Sequence, residues 1–203
     1  DNPDANHLLG VVAHQAGQST LAVELITKAI IGKSDDAAYH SNLGNAQRAT
    51  SDTGAAETSY KRALELTPND FEVHNNLGNL YSDQEQLEAA VSSYETAIKL
   101  NNDYPQAHNN LGVVLQKQGD LTAAESQFRE ALRLTPGYAD AANNLGDVLQ
   151  SLGRAEAATA CYRDALGGDA NNAAAHNNLA TMLQGQGDMA GAAEHFRKAV
   201  QLK

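Results

Sequence analysis

One short motif returns along this sequence at a fixed interval of 34 residues. It reads HSNLGN at 40–45, HNNLGN at 74–79, HNNLGV at 108–113, ANNLGD at 142–147 and HNNLAT at 176–181, with a weaker copy, NHLLGV, at 6–11. No insertion shifts this interval, so residues 1–203 are predicted to form a single array of six repeats. The repeat boundaries are 3–36, 37–70, 71–104, 105–138, 139–172 and a shorter 173–203.

The repeats share a pattern of small and large apolar residues, which we number from the first residue of each repeat. Position 7 is always Leu, positions 20 and 27 are always Ala, and position 8 is Gly except at Ala180. Small residues let two helices approach closely and a large residue fills the space between them, so each repeat is predicted to be a helical hairpin. Turn signals such as QGD at 118–120 and LTPGY at 134–138 separate the helices. The large residues stand at position 24: Ile26, Tyr60, Tyr94, Phe128, Tyr162 and Phe196.

This pattern resembles the tetratricopeptide repeat (TPR) family over nearly the whole chain. The resemblance implies an all-α fold, an α-solenoid in which six helical hairpins stack into a right-handed superhelix. It also implies that the first helix of each hairpin lines a concave groove. Stacking is required on physical grounds as well, because a single hairpin cannot bury its own apolar face.

A helical wheel separates a packed side of the first helix from a polar side. At about 100° per residue, positions 4, 7, 8 and 11 share one arc and are predicted to pack, whereas positions 2, 6, 9 and 13 cluster opposite. The resemblance places this second group in the groove. Position 6 is Asn in five successive repeats: Asn42, Asn76, Asn110, Asn144 and Asn178. Position 9 carries an amide or a carboxylate at Asn45, Asn79 and Asp147.

These eight residues are the predicted peptide-binding set. An Asn amide both donates and accepts, so it can pair with a peptide unit at both polar groups. Packed helices lie about 8–10 Å apart and an extended chain advances about 3.3 Å per residue, so one Asn per repeat meets about every third ligand residue. The arrangement resembles the asparagine ladder of O-GlcNAc transferase-like TPR superhelices. Asn is also common at position 6 of the TPR consensus, so a role in local geometry stays open.

The asparagines at position 5 stand at the edge of this predicted face. For them we expect a solvated surface without a binding role: Asn75, Asn109, Asn143 and Asn177.

The charge of the chain restricts the class of partner. The formal net charge is −11, whereas nucleic-acid-binding domains are normally basic because phosphate neutralisation supplies much of their affinity. The charge also argues against anionic membrane surfaces, and no apolar run approaches the length of a membrane span. A carboxylate clamp of the TPR family would need cations at positions 2, 5 and 6, where this chain carries Asp4, Glu72 and Asp140. The predicted partner is therefore a protein or an extended peptide that is neutral to basic.

No residue pattern indicates catalysis, a metal or a cofactor. His40, His74, His108 and His176 stand at position 4 of the packed arc, and equivalent side chains of neighbouring repeats are too far apart to share a zinc ion. They are predicted to be structural, and the large residues at position 24 to be core fillers. The one cysteine, Cys161, has no His partner near it in sequence, so a nucleophile is not expected. It cannot form an intramolecular disulfide, which favours the cytoplasm.

Three functions follow from the repeats and from the two ends. The chain begins at Asp1 without Met, and its sixth repeat stops at Lys203 with no helix after it to cover the last apolar face. We expect either a fragment of a larger protein or a homo-oligomer that associates through an exposed solenoid end. The functions are a peptide-binding module, a self-associating scaffold, and the substrate-recognition arm of a glycosyltransferase-like enzyme whose catalytic domain lies outside this chain.

Overall fold

The computed structural model describes residues 2–202, and Asp1 and Lys203 lie outside the described residues. Twelve α-helices and no β-strand form in the described part, two helices in each predicted repeat. The all-α fold of six helical hairpins is thereby confirmed. Contacts group the chain into two compact units, Asp1–Asn102 and Asp103–Lys203, each of which contains three hairpins.

Within every hairpin the first helix begins at position 1 and the second at position 17. The first unit contains α1 (Pro3–Gln15), α2 (Ser19–Gly32), α3 (Ala37–Ala49), α4 (Thr53–Leu66), α5 (Phe71–Asp83) and α6 (Leu87–Leu100). The second unit contains α7 (Pro105–Lys117), α8 (Leu121–Leu134), α9 (Ala139–Ser151), α10 (Ala155–Gly168), α11 (Ala173–Gly185) and α12 (Met189–Gln201). Acidic or amide side chains cap many of these helices, as where the Asp70 carboxylate accepts from the backbone N–H groups of Glu72 and Val73.

The two helices of a hairpin approach most closely at position 8. A Cβ added to Gly44 would lie 2.6 Å from Cε1 of Tyr60, and a Cβ added to Gly146 would lie 2.4 Å from Cε1 of Tyr162. No side chain fits there without displacing the ring, which explains the Gly. The core role predicted for position 24 is confirmed in five repeats, while Phe196 of the sixth is only partly buried. Ala180, the one residue at position 8 with a side chain, belongs to the same repeat as this less enclosed ring.

Consecutive hairpins pack through a second side of the first helix, which the helical wheel did not anticipate. In the first unit, Tyr60 and Ala63 of α4 form one core cluster with Val73, Leu77 and Leu80 of α5. Those three residues stand at positions 3, 7 and 10 of their repeat. The predicted arc of positions 4, 7, 8 and 11 was therefore wrong in assigning a single packed side. Within each unit, a first helix that follows another hairpin contacts its own second helix and that of the preceding repeat, so two sides are buried.

The turn within each hairpin requires a left-handed backbone at position 15. Glycine meets this requirement in four repeats, with φ of 85° at Gly119 for example. The second and third repeats use Ser51 and Glu85 instead, at φ of 63° and 58°. A side chain in this region costs about 1 kcal/mol because its Cβ crowds the backbone.

We predict that Glu85→Gly raises the free energy of unfolding by about 1 kcal/mol and the Tm by about 2–4 °C, since it relieves this strain. Thermal unfolding followed by circular dichroism measures the shift. The control is Glu85→Ala, which removes the same carboxylate but keeps a Cβ, and it should give no comparable gain. Equal gains in the two variants would show that the charge, not the backbone, is responsible.

Candidate functional site

The asparagines at position 6 lie on the first helices and are half-buried in all five repeats that carry them. The first unit contains Asn42 and Asn76, and the second contains Asn110, Asn144 and Asn178. In the first repeat the equivalent residue is Leu8, whose exposed fraction is 62%. A polar side chain of intermediate exposure therefore recurs along the first helices of each unit.

In three repeats, the amide nitrogen at position 6 points toward the preceding repeat of the same unit. Nδ2 of Asn144 donates to Oδ1 of Asn109 at 3.1 Å, and Nδ2 of Asn178 donates to Oδ1 of Asn143 at 3.0 Å. The first unit makes the same link with a different acceptor, because Nδ2 of Asn42 donates to Nε2 of His7 at 2.9 Å. Each bond joins position 5 of one repeat to position 6 of the next and so fixes how the second amide faces solvent.

The prediction of a solvated surface at position 5 was wrong for three of its four asparagines. Asn75, Asn109 and Asn143 are only 4%, 7% and 8% exposed, and Asn177 alone is exposed. For Asn109 and Asn143 the physical reason is the contact between neighbouring first helices of the second unit. Each side chain faces the next repeat, accepts the hydrogen bond from position 6 and is covered by that repeat.

The residues at position 9 contact the aromatic residue of their own hairpin. The Tyr60 hydroxyl donates to Oδ1 of Asn45 at 2.8 Å. The same bond joins Tyr94 to Asn79 at 2.7 Å and Tyr162 to Asp147 at 2.8 Å. Burial raises the pKa of all three phenols, so they stay protonated and act as donors at neutral pH.

The sequence itself contains a signal for this pairing. Repeats with Tyr at position 24 carry Asn or Asp at position 9, while Ile26 and Phe128 are matched by Val11 and Val113. In these five repeats an amide or carboxylate acceptor is present only where a hydroxyl must be satisfied. The sixth repeat pairs Phe196 with Thr181, whose own hydroxyl donates to the carbonyl oxygen of Asn177. The position-9 residues of the predicted site thus have a structural partner, which the wheel could not show.

A cavity of about 460 Å³ opens on the first-helix face of the first unit, and its lining includes two residues that the sequence analysis missed. His14 and Arg48, both at position 12, line it together with Asn45, Asn76 and Asp83. Nε of Arg48 donates to Oδ2 of Asp83 at 2.6 Å. Position 12 follows position 9 by almost one helical turn, so the two positions lie on the same side of the helix. The polar face predicted from the sequence could therefore have included position 12.

The histidines at position 4 have the structural role predicted for them. Nε2 of His40, His74 and His176 lies 2.9–3.1 Å from a backbone carbonyl oxygen six residues earlier, in the loop that precedes each first helix. His108 and His176 are buried. Nδ1 of His176 lies 2.8 Å from Nδ1 of His195, a pair that the sequence analysis did not foresee. Within residues 2–202, no group of three or more His, Cys, Asp or Glu could hold a metal ion.

Cys161 has the properties of a structural thiol. It is half-buried, and burial raises the pKa of its thiol, which lowers the fraction of reactive thiolate.

Among the described residues, no helix combines the length and the apolar character that a membrane span requires.

The Tyr–Asn pair can be tested by a double-mutant cycle on Asn45 and Tyr60. We predict that Asn45→Val costs about 1–3 kcal/mol of unfolding free energy, because it leaves the buried Tyr60 hydroxyl without an acceptor. Adding Tyr60→Phe should recover at least half of that loss, since the double variant reproduces the Val113–Phe128 pair of the fourth repeat. Denaturant unfolding measures all four proteins, and additive losses would contradict the pairing.

Comparison with known proteins agrees with this fold. A model described as TPR repeat matches residues 48–85 and 78–119, and two models described as tetratricopeptide repeat match 103–170 and 143–203. Together they span residues 48–203 without a gap. No curated protein sequence shows significant similarity to the chain.

Several solved structures share the fold. MamA is 26% identical with a TM-score of 0.69, over 79% of this chain and 94% of MamA. PilF of Pseudomonas aeruginosa is 23% identical with a TM-score of 0.87, over 98% and 91% of the two chains. YrrB, described as a TPR protein with an unusual peptide-binding site, is 24% identical with a TM-score of 0.67, over 89% and 93%. The repeat pattern, the twelve described helices and the matching models lead to one conclusion: the chain belongs to the tetratricopeptide repeat family.

Proposed function

We propose that this chain is a protein-interaction module that holds an extended segment of a partner protein along its first helices. The observation that carries the proposal is the recurring half-exposed Asn at position 6, present in five repeats. The proposed contact residues are Asn42, Asn76, Asn110, Asn144 and Asn178, with Asn45, Asn79 and Asp147 beside them.

The hydrogen bonds within each unit support different roles for positions 6 and 9, as an acceptor and a donor toward a ligand. At Asn42 and Asn144 one amide N–H is used within the protein, so Oδ1 is the group best placed to accept from a ligand N–H. Asn45 has the opposite polarity, because its Oδ1 accepts from Tyr60 and its Nδ2 remains to donate. Asn42 and Asn45 lie one turn apart on α3, where side chains share a face. Two amides together can therefore read the N–H and C=O groups of a bound backbone, in place of the single bidentate amide expected from sequence.

The partner is proposed to be neutral to basic. A net charge of −11 repels acidic segments, and the oxygen atoms that position 6 presents favour partners that supply N–H donors. YrrB, which has the same fold, is described as carrying a peptide-binding site, so the fold is compatible with this activity. TPR repeats typically serve as interaction or scaffold modules, and we infer that the chain itself is not catalytic.

We predict that replacing Asn110, Asn144 and Asn178 of the second unit together by Ala weakens capture of a bound segment by about 10- to 100-fold, since each lost hydrogen bond contributes about 1 kcal/mol. The probe is a peptide selected on the wild-type chain from a phage-displayed library of random 12-residue sequences, and titration calorimetry measures its affinity. The matched control replaces three exposed residues of the second helices, Thr58, Ser92 and Ser126, by Ala. Unchanged affinity in the folded Asn variant would remove the groove from the proposal.

A second candidate function is self-association, favoured by the apolar side of the first hairpin. Leu9 and Val12 are 57% and 61% exposed, although the same positions are buried in every other repeat. Ile31 of α2 is 82% exposed. Apolar surface of this kind is typical of protein interfaces.

If this surface associates, light scattering should show a mass that rises with protein concentration. Changing Leu9 and Val12 to Gln should then keep the chain monomeric, because both side chains are already solvent-exposed and the fold does not depend on them. A strictly monomeric wild-type chain at high concentration would exclude the scaffold.

A further inference from the structure

Asp147 carries a charge that its structural role does not require. Its Oδ1 accepts from the buried Tyr162 hydroxyl, as a neutral Asn does for Tyr60 and for Tyr94 in the same chain. These two repeats are internal controls, and they show that an amide satisfies the phenol at the same distance within 0.1 Å. The negative charge of Asp147 therefore calls for a separate explanation.

The charge is also unfavourable for the fold. Burial raises the pKa of Asp147, which means that the environment disfavours its ionised form. Its Oδ1 accepts a second bond from Nδ2 of Asn178 at 2.9 Å, so both of its hydrogen-bond donors are neutral. No cation among the described residues pairs with it. Asp147 is thus a half-buried carboxylate without a counter-charge.

The second carboxylate oxygen is available to a ligand. No described residue donates to Oδ2 of Asp147, and this atom is not sealed from solvent. Asn178 has committed its amide nitrogen to Asn143 and Asp147, so only its Oδ1 remains to contact a ligand. Asn144 lies one turn before Asp147 on α9, and its Oδ1 also has no partner in the described chain. Three oxygen acceptors, one of them charged, therefore stand together on the first helices of the second unit.

We propose that Asp147, with Asn144 and Asn178, forms a subsite for a lysine or arginine side chain of the bound segment. The inference rests on the proposed function, because it supplies one side-chain specificity to a face that otherwise reads backbone. A primary ammonium or a guanidinium fits because it offers several N–H donors and a positive charge to acceptors that have no other cation. Asn at the same position would keep the fold and lose this selectivity.

Asp147→Asn tests the subsite with little disturbance, because Asn45 and Asn79 already make the equivalent bond. Random 12-residue peptides displayed on phage are selected in parallel on the wild-type chain and on the variant. Selection on the wild type should enrich Lys or Arg at one register, and the variant should lose that enrichment. For one selected peptide, replacing the enriched cation by Gln should reduce affinity about tenfold on the wild type and about twofold or less on Asp147→Asn.

A second variant, Asn45→Asp, tests the same inference at a different repeat. Asn45→Asp places the same carboxylate beside Tyr60 in the first unit, and it should create an additional preference for a cationic residue. Thermal unfolding accompanies both variants. If Asp147→Asn fails to fold, the claim of a dispensable charge is wrong, and the inference falls.

The outcomes separate the inference from the function on which it rests. Peptides that bind both proteins equally, with no preference for Lys or Arg, would overturn the subsite and leave the interaction module standing. No selected peptide on either protein would count against the proposed function and remove the subsite with it. A cation preference that persists in Asp147→Asn would assign it to another residue and would equally overturn the inference.

Discussion

The close approach of the two helices at position 8 determines the geometry of each hairpin. With Gly at this point, an aromatic ring from position 24 lies directly against the first-helix backbone. The ring is held so deeply that its para hydroxyl, when present, reaches position 9 of the first helix. The backbone contact at position 8 therefore fixes the place of the core residue at position 24. It also determines whether position 9, on the exposed side, must supply a hydrogen-bond acceptor. The Val–Phe pair of the fourth repeat shows the apolar version of the same arrangement.

Hydrogen bonds between repeats add the second level of order. Position 6 donates to position 5 of the preceding repeat, which makes the Asn side chain part of the packing and part of the surface at once. A protein can use such a residue for binding at low cost in conformational entropy, because the side chain is already fixed. The two explanations of the Asn repeat are therefore compatible, since the observed hydrogen bonds use the amide nitrogen and the proposed ligand contact uses the amide oxygen.

The sequence predicted the helix pairs and the close contact of small and large residues within each hairpin, because each depends on spacing and residue size that the interval of 34 makes visible. It failed for Asn109 and Asn143 because a wheel drawn for one helix does not contain the neighbouring first helix that covers them. The Tyr–Asn pairing was present in the sequence as matched choices at positions 9 and 24, but only the fold shows that they touch. The roles of Arg48 and His14 depend on how three first helices converge, which a single-helix pattern does not contain.

The most direct test is nuclear magnetic resonance of the Asn side-chain amides, before and during titration with a bound peptide. Our account predicts slow hydrogen exchange for the Nδ2 protons of Asn178, both of which are hydrogen-bonded. It also predicts that the peptide shifts the amide signals at position 6, while those of the exposed Asn177 stay unchanged. Fast exchange at Asn178, or peptide-induced shifts confined to the second helices, would contradict an organised binding face on the first helices.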